Sequence, residues 1–171
     1  MTIRSRSAVQ VFTAVAFLSA LFAPLAGAAV GRNATTKSYS FTLSIGMSEQ
    51  MWTPAQVKAK HPKTGEVMLK GTMSGMGGMS MGGSLRHLEV HIKSLATGAV
   101  VAGAYPTITA LDITAKDAMP VTVPYSEMEG VTEGAADLHY GNNVDLVGGH
   151  TYKVTVTLHG ESAVLEAVAP K

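Results

Sequence analysis

Ser38-Tyr39-Ser40-Phe41-Thr42-Leu43-Ser44-Ile45 alternates polar and apolar residues without a break. Successive strand side chains point to opposite faces, so this period predicts a strand with one buried and one wet face. The alternation returns in Leu88-Glu89-Val90-His91-Ile92 and in Tyr152-Lys153-Val154-Thr155-Val156-Thr157-Leu158. Shorter runs fall at Val67, Leu69 and Thr72, and over residues 107–114, 121–123, 144–147 and 163–168. Residues 99–103 are expected to pair back across the Thr97-Gly98 turn, and Gly148-Gly149 and His159-Gly160-Glu161 read as further turns. About eight short strands at roughly ten-residue spacing predict an all-β fold, an immunoglobulin-like β-sandwich. One helical turn interrupts them. Thr53 is its cap, Pro54 its first residue and Ala55-Gln56-Val57-Lys58-Ala59-Lys60 its body, ended by Pro62-Lys63-Thr64-Gly65.

The 171 residues suit one domain, and 46% apolar against 15% charged residues is enough for a real core. Residues 1–28 read as a cleaved signal peptide: Arg4 and Arg6 precede an apolar run, and Ala26-Gly27-Ala28 offers the small residues a signal peptidase needs. The expected mature domain is 29–171, in the periplasm or secreted. Loss of Arg4 and Arg6 leaves 11 basic against 12 acidic residues, which argues against nucleic-acid binding by charge. There is no cysteine, so disulfides, thiolate metal sites, a cysteine nucleophile and a lipid anchor on cysteine are excluded. Ten methionines and six histidines against 6% aromatics is the unusual feature.

Three segments carry that excess. His87, Glu89 and His91 share one strand face, with Leu88, Val90 and Ile92 on the other, so the polar three are expected to face outward. Neighbours on that face are about 6–7 Å apart, near enough for two of them to chelate one ion; all three span about 13 Å. An ordinary solvated strand face is the other reading. Met73, Met76, Met79 and Met81 stand among glycines and serines without strand or helix period. Thioethers are soft donors that favour Cu(I), so this Met-rich loop 73–81 is a candidate second soft-metal site; contacts in a dimer interface are its alternative. Glu127-Met128-Glu129-Gly130 is followed by Gly134-Ala135-Ala136-Asp137-Leu138-His139-Tyr140-Gly141-Asn142-Asn143, where Gly141 and the Asn pair suit a loop and His139 sits at a loop-to-strand junction. That histidine either aims at a neighbouring strand or caps a carbonyl. No Gly-x-Ser-x-Gly elbow and no His-Glu-x-x-His helix occurs, so no enzyme is expected.

His87-Leu88-Glu89, a methionine, His139-Tyr140-Gly141-Asn142-Asn143-Val144 and Tyr152-Lys153-Val154-Thr155 together resemble the bacterial periplasmic ferrous-iron transport protein family, over roughly residues 85–160. The resemblance implies a secreted immunoglobulin-like sandwich, often a homodimer, that binds copper and serves iron uptake beside an inner-membrane permease. It implies His87 and His139 as metal ligands, Met128 as a thioether ligand and Glu89 as a strand carboxylate. His159 lies near the place of a further family histidine, and His91 is a weaker candidate. Two imidazoles, a thioether and a carboxylate suit copper, as Cu(I) or Cu(II), better than a hard cation, with iron as a second cargo. The expectation is an exported metal-binding protein. The alternative is a non-catalytic adhesion or assembly module, in which the methionines would contact a partner.

Overall fold

A computed structural model describes residues 31–72 and 85–171. The expected signal peptide, residues 1–28, and the Met-rich loop 73–81 lie outside the described residues.

The described chain is nearly all strand. In order run β1 (Asn33–Thr35), β2 (Tyr39–Met47), β3 (Met51–Trp52), α1 (Pro54–Lys60), β4 (Glu66–Gly71), β5 (Leu85–Ser94) and β6 (Thr107–Asp112). Then come β7 (Val121–Val123), β8 (Ser126–Gly130), β9 (Gly134–Asp145), β10 (Thr151–Leu158) and β11 (Glu161–Val168). They build a seven-stranded sheet, β1-β2-β5-β9-β8-β4-β3, and a four-stranded sheet, β11-β10-β6-β7. Every pairing is antiparallel except β3 with β4.

Alternation decides which face each strand buries. Phe41, Leu43 and Ile45 of β2 pair across with Ile92, Val90 and Leu88 of β5. Leu138, Tyr140 and Val144 of β9 continue this apolar face. Against it lie Ile108 and Ala110 of β6, Tyr152, Val154, Val156 and Leu158 of β10, and Ala163, Leu165 and Ala167 of β11. One core thus joins both sheets, an all-β sandwich. Each large side chain buried there contributes about 1.5–3 kcal/mol, and that has to hold a domain with no disulfide.

The helical turn forms as its residues dictate. The Thr53 hydroxyl accepts from Gln56 N, the Gln56 side chain accepts from Thr53 N, and Pro54 stands at the first turn. His61 closes it in the left-handed conformation with φ 48°.

The structure departs from the sequence reading in three places. There are eleven strands among the described residues rather than about eight. His139 is not at a loop-to-strand junction but in the middle of the twelve-residue β9. Its polar neighbours Asp137, Asn142 and Asn143 conceal strand character when read alone, and pairing with β5 and β8 on either side overrides that local preference. Residues 99–103 make a single bridge, Lys93 with Val100, rather than a hairpin strand.

Candidate metal centre

The second face of the seven-stranded sheet carries the site. Cross-strand register puts Gly46 of β2 and Asn143 of β9 opposite His87, and Ser44 and Gly141 opposite Glu89. His139 sits opposite Met128 of β8, which in turn sits opposite Met68 of β4. Two residues along β4, Glu66 lies opposite Gly130. Residues opposite one another share a face, so His87, Glu89, His139, Met128 and Glu66 all project from one side. Gly141 keeps the middle of that face open. A Cβ there would overlap the Leu88 carbonyl, so only glycine lets β9 run this close to β5.

This face was expected to be solvated, and much of it is not. His87 is 2% exposed, His139 and Met128 0%, and Glu66 6%. Glu89 and His91 are partly exposed at its rim.

The hydrogen bonds of the two buried histidines assign their tautomers. His139 Nδ1 lies 2.7 Å from the Asp137 carbonyl, which can only accept, so Nδ1 carries the proton and Nε2 is a bare lone pair. His87 Nδ1 lies 3.1 Å from Asn143 Oδ1. The Asn143 amide nitrogen already donates to Glu49 O at 2.7 Å, so Oδ1 is the acceptor and His87 Nδ1 the donor. His87 Nε2 is therefore bare as well. The two Nε2 atoms face each other at 3.5 Å. Glu66 Oε2 stands 3.6 Å from His139 Nε2, buried and without a hydrogen-bond partner.

The two bare nitrogens thus face each other with Glu66 Oε2, which has no hydrogen-bond partner, beside them. Buried polar groups are ordinarily paired, and leaving one unmet costs about 1–3 kcal/mol. A proton on Glu66 does not repair the gap, since an O–H donor needs about 2.7–2.8 Å and the separation is 3.6 Å. A cation does. Two nitrogens each about 2.0–2.1 Å from one ion, at the tetrahedral angle, lie about 3.4 Å apart. The observed 3.5 Å and 3.6 Å separations match that spacing. The Nδ1 bonds to Asp137 O and Asn143 are also the outer partners that orient metal-bound imidazoles.

A second triad, Glu89, His91 and His139, shares the His139 nitrogen. His139 Nε2 is 3.9 Å from Glu89 Oε2, and His91 Nε2 is 3.9 Å from Glu89 Oε1 and 3.8 Å from Asp137 Oδ1.

Charge follows geometry. Burial pushes the Glu66 carboxyl up to about 8, helped by the nearby carboxylates of Glu49, Asp137, Glu89 and Glu133. Glu89 goes the other way, down to about 2: the adjacent His91 imidazole outweighs its burial, and His139 and His87 add to the effect. Burial lowers the proton affinity of His87 and His139, which keeps both neutral and ready to coordinate. Glu89 raises that of His91.

No protein family, curated protein or solved structure matches the chain.

The structure places the candidates as follows. His87, His139, Glu89 and Met128 lie on one face, as does His91 at its rim. His159 lies elsewhere, on the turn between β10 and β11, with its Nδ1 2.9 Å from the Tyr39 hydroxyl. Glu66 was missed. Its signal is faint: it precedes the alternating Val67 and Leu69 in β4, in the same phase as Met68, which puts an acid on the face opposite those apolar residues.

Proposed function

We propose that this chain is an exported, immunoglobulin-like metal-binding protein that carries copper, with iron as a second cargo. One observation carries the reading: His87 Nε2, His139 Nε2 and Glu66 Oε2 converge, buried, and Oε2 has no hydrogen-bond partner. The ligand set is Glu66, His87 and His139. Glu89 and His91 form the alternative triad around the same His139, and Met128 is the thioether beside it. Imidazoles and a thioether favour copper, which also tops the affinity order of the divalent first-row metals. Calcium and magnesium want oxygen-only sets. Zinc is the closest competitor, since two histidines and a glutamate also suit it.

The resemblance of the His87-Leu88-Glu89 and His139-Tyr140-Gly141-Asn142-Asn143 segments to the periplasmic ferrous-iron transport proteins supports the same reading. It adds a homodimer and an inner-membrane permease as partners. In this role the protein binds and hands over an ion without chemical conversion.

Elemental mass spectrometry after loading with Cu(I), Cu(II), Fe(II) or Zn(II), beside a His87→Ala/His139→Ala variant, tests it. About one copper per chain, lost in the variant, is the expected result. Absence of stoichiometric metal from both proteins would overturn it and favour an adhesion or assembly module.

A further inference from the structure

Strands β2 and β3 are neighbours in sequence and far apart in their sheet. Only Ser48-Glu49-Gln50 joins Met47 to Met51, yet β5, β9, β8 and β4 stand between the two strands in the ladder. The ladder spacings from β2 to β3 cover about 24 Å when flat. The connection reaches at most about 14 Å. The seven-stranded sheet therefore curls and brings β4 and β3 round toward β2. Core packing agrees with this. Of this sheet, the buried members of the apolar core come from β2, β5 and β9, and none from β3, β4 or β8. Met51 and Met128 are nevertheless buried.

The connection crosses the face that carries the histidines. Asn143 stands opposite His87 in register, so it shares that face. Its carboxamide holds Glu49 by both backbone groups: Oδ1 accepts from Glu49 N at 3.1 Å, and Nδ2 donates to Glu49 O at 2.7 Å. The same Oδ1 accepts from His87 Nδ1 at 3.1 Å. One residue on, Gln50 O accepts from Glu66 N at 2.9 Å. Gly65 makes room for that carbonyl: its φ is 95°, and a Cβ there would overlap Gln50 O. Residues 48–50 are themselves exposed. They form a strap over the curled sheet, fastened on one side to the residue that orients His87 and on the other to the backbone of Glu66.

We infer that Asn143 is the latch of this strap, a positioning residue that aims His87 and closes residues 48–50 over the concave face with one side chain, so that an ion enters and leaves when the latch opens. The inference rests on the metal-binding reading for its ion and on the hydrogen bonds alone for its latch. Asparagine suits both tasks because its side chain accepts and donates at once. An exposed segment outside any ladder is held by few bonds, and it opens locally more often than the domain unfolds. Ligand aim governs affinity, whereas a latch governs uptake and release together.

Asn143→Asp and Asn143→Ala in the full chain separate these two roles, with circular dichroism as the check on folding. Aspartate still accepts from His87 Nδ1 but cannot donate to Glu49 O, and alanine does neither. In the metal-free proteins, NMR hydrogen exchange of the Glu49 amide should quicken by about tenfold or more in both variants, and by more than that of Val90 in the core, which reports global opening. In the copper-loaded proteins, release to excess chelator is followed by stopped flow. Asn143→Asp should release copper about tenfold faster with a smaller loss of affinity, because uptake quickens as well. Asn143→Ala should lose about 10–100-fold in affinity. The charge of aspartate beside His87 would by itself hold the ion more tightly and slow release, so faster release identifies the latch. Equal Glu49 exchange in the native chain and the folded variants would overturn the inference. So would copper release from Asn143→Asp no faster than from the native chain. If none of the proteins binds copper while Glu49 exchange responds as expected, the histidine-site reading falls and the latch stands.

Discussion

His139 and His150 each face a carboxylate, and the two pairs have little else in common. His150 Nδ1 lies 2.7 Å from Asp112 Oδ2, partly exposed where β6 ends and β10 begins. Asp112 Oδ1 also accepts from Thr114 N and Ala115 N, so the acid is fully used within its own turn. His139 Nε2 stands 3.6 Å from Glu66 Oε2, with both side chains almost out of water. Its other nitrogen is spent on Asp137 O, and the atom facing Glu66 has only a lone pair to offer. The short exposed pair satisfies itself and is local structure. The long buried pair is held apart by strands on either side, and in the proposed function an ion between its members would satisfy it.

This contrast can be broken in several ways. The largest effect is expected in His87→Ala/His139→Ala. Losing an outer partner of a metal ligand alone costs about 10–100-fold in affinity. Removing two ligands should cost on the order of a thousandfold or more, read by competition with a chelator of known affinity. Retained copper affinity would show that the lone-pair cluster is not the site. Next is the apolar side of the same sheet. Leu88→Ala should destabilise the domain by about 2–5 kcal/mol in urea unfolding, while the folded fraction still binds metal, because Leu88 points away from the ligands.

Glu66→Gln sharpens the comparison through pH. The folded carboxyl holds its proton up to about 8, against an ordinary value of 4.5. Between those limits the folded state binds more protons than the unfolded one. The metal-free protein should therefore lose stability as pH rises through this window, by up to about 1.4 kcal/mol per pH unit. Glu89, held down to about 2, contributes stability above 4.5 that is lost as pH falls toward 2. Thermal unfolding across this range should show the alkaline decline in the native chain, a flatter profile in Glu66→Gln, and relief of the decline by added copper. An unchanged slope in the variant would assign the titration to another group. The smallest effect belongs to the partly exposed pair: Asp112→Asn should cost about 1 kcal/mol and leave copper content unchanged.

The legible parts of this chain were those written in local periodicity. Tyr39 to Ile45, Leu88 to Ile92 and Tyr152 to Leu158 alternate, and each became a strand with its apolar residues in the core. Thr53 and Pro54 announced a helix start that the capping box bears out. The shared face of His87, Glu89 and His91 also followed from period 2 alone. The strand around His139 was hidden because Asp137, Asn142 and Asn143 are turn-favouring residues, and only the ladders to β5 and β8 hold them extended. Burial of the polar face was hidden for a similar reason, since alternation says which residues share a face but not what lies above it.

By itself, then, the sequence determined the sheet-forming segments, the side on which each one is apolar, and the presence of an unusual stock of histidine and methionine in a chain without thiols. Those properties depend on neighbours within a few residues, where strand geometry leaves no choice. The tertiary structure alone decided that Glu66 meets His87 and His139, that Glu89 turns to His91, and that His159 pairs with Tyr39 instead. Each of these meetings depends on the order of strands in a sheet. That order is set by how two apolar faces bury one another, and the same packing holds the polar atoms of the opposite face at distances they would not adopt unconstrained.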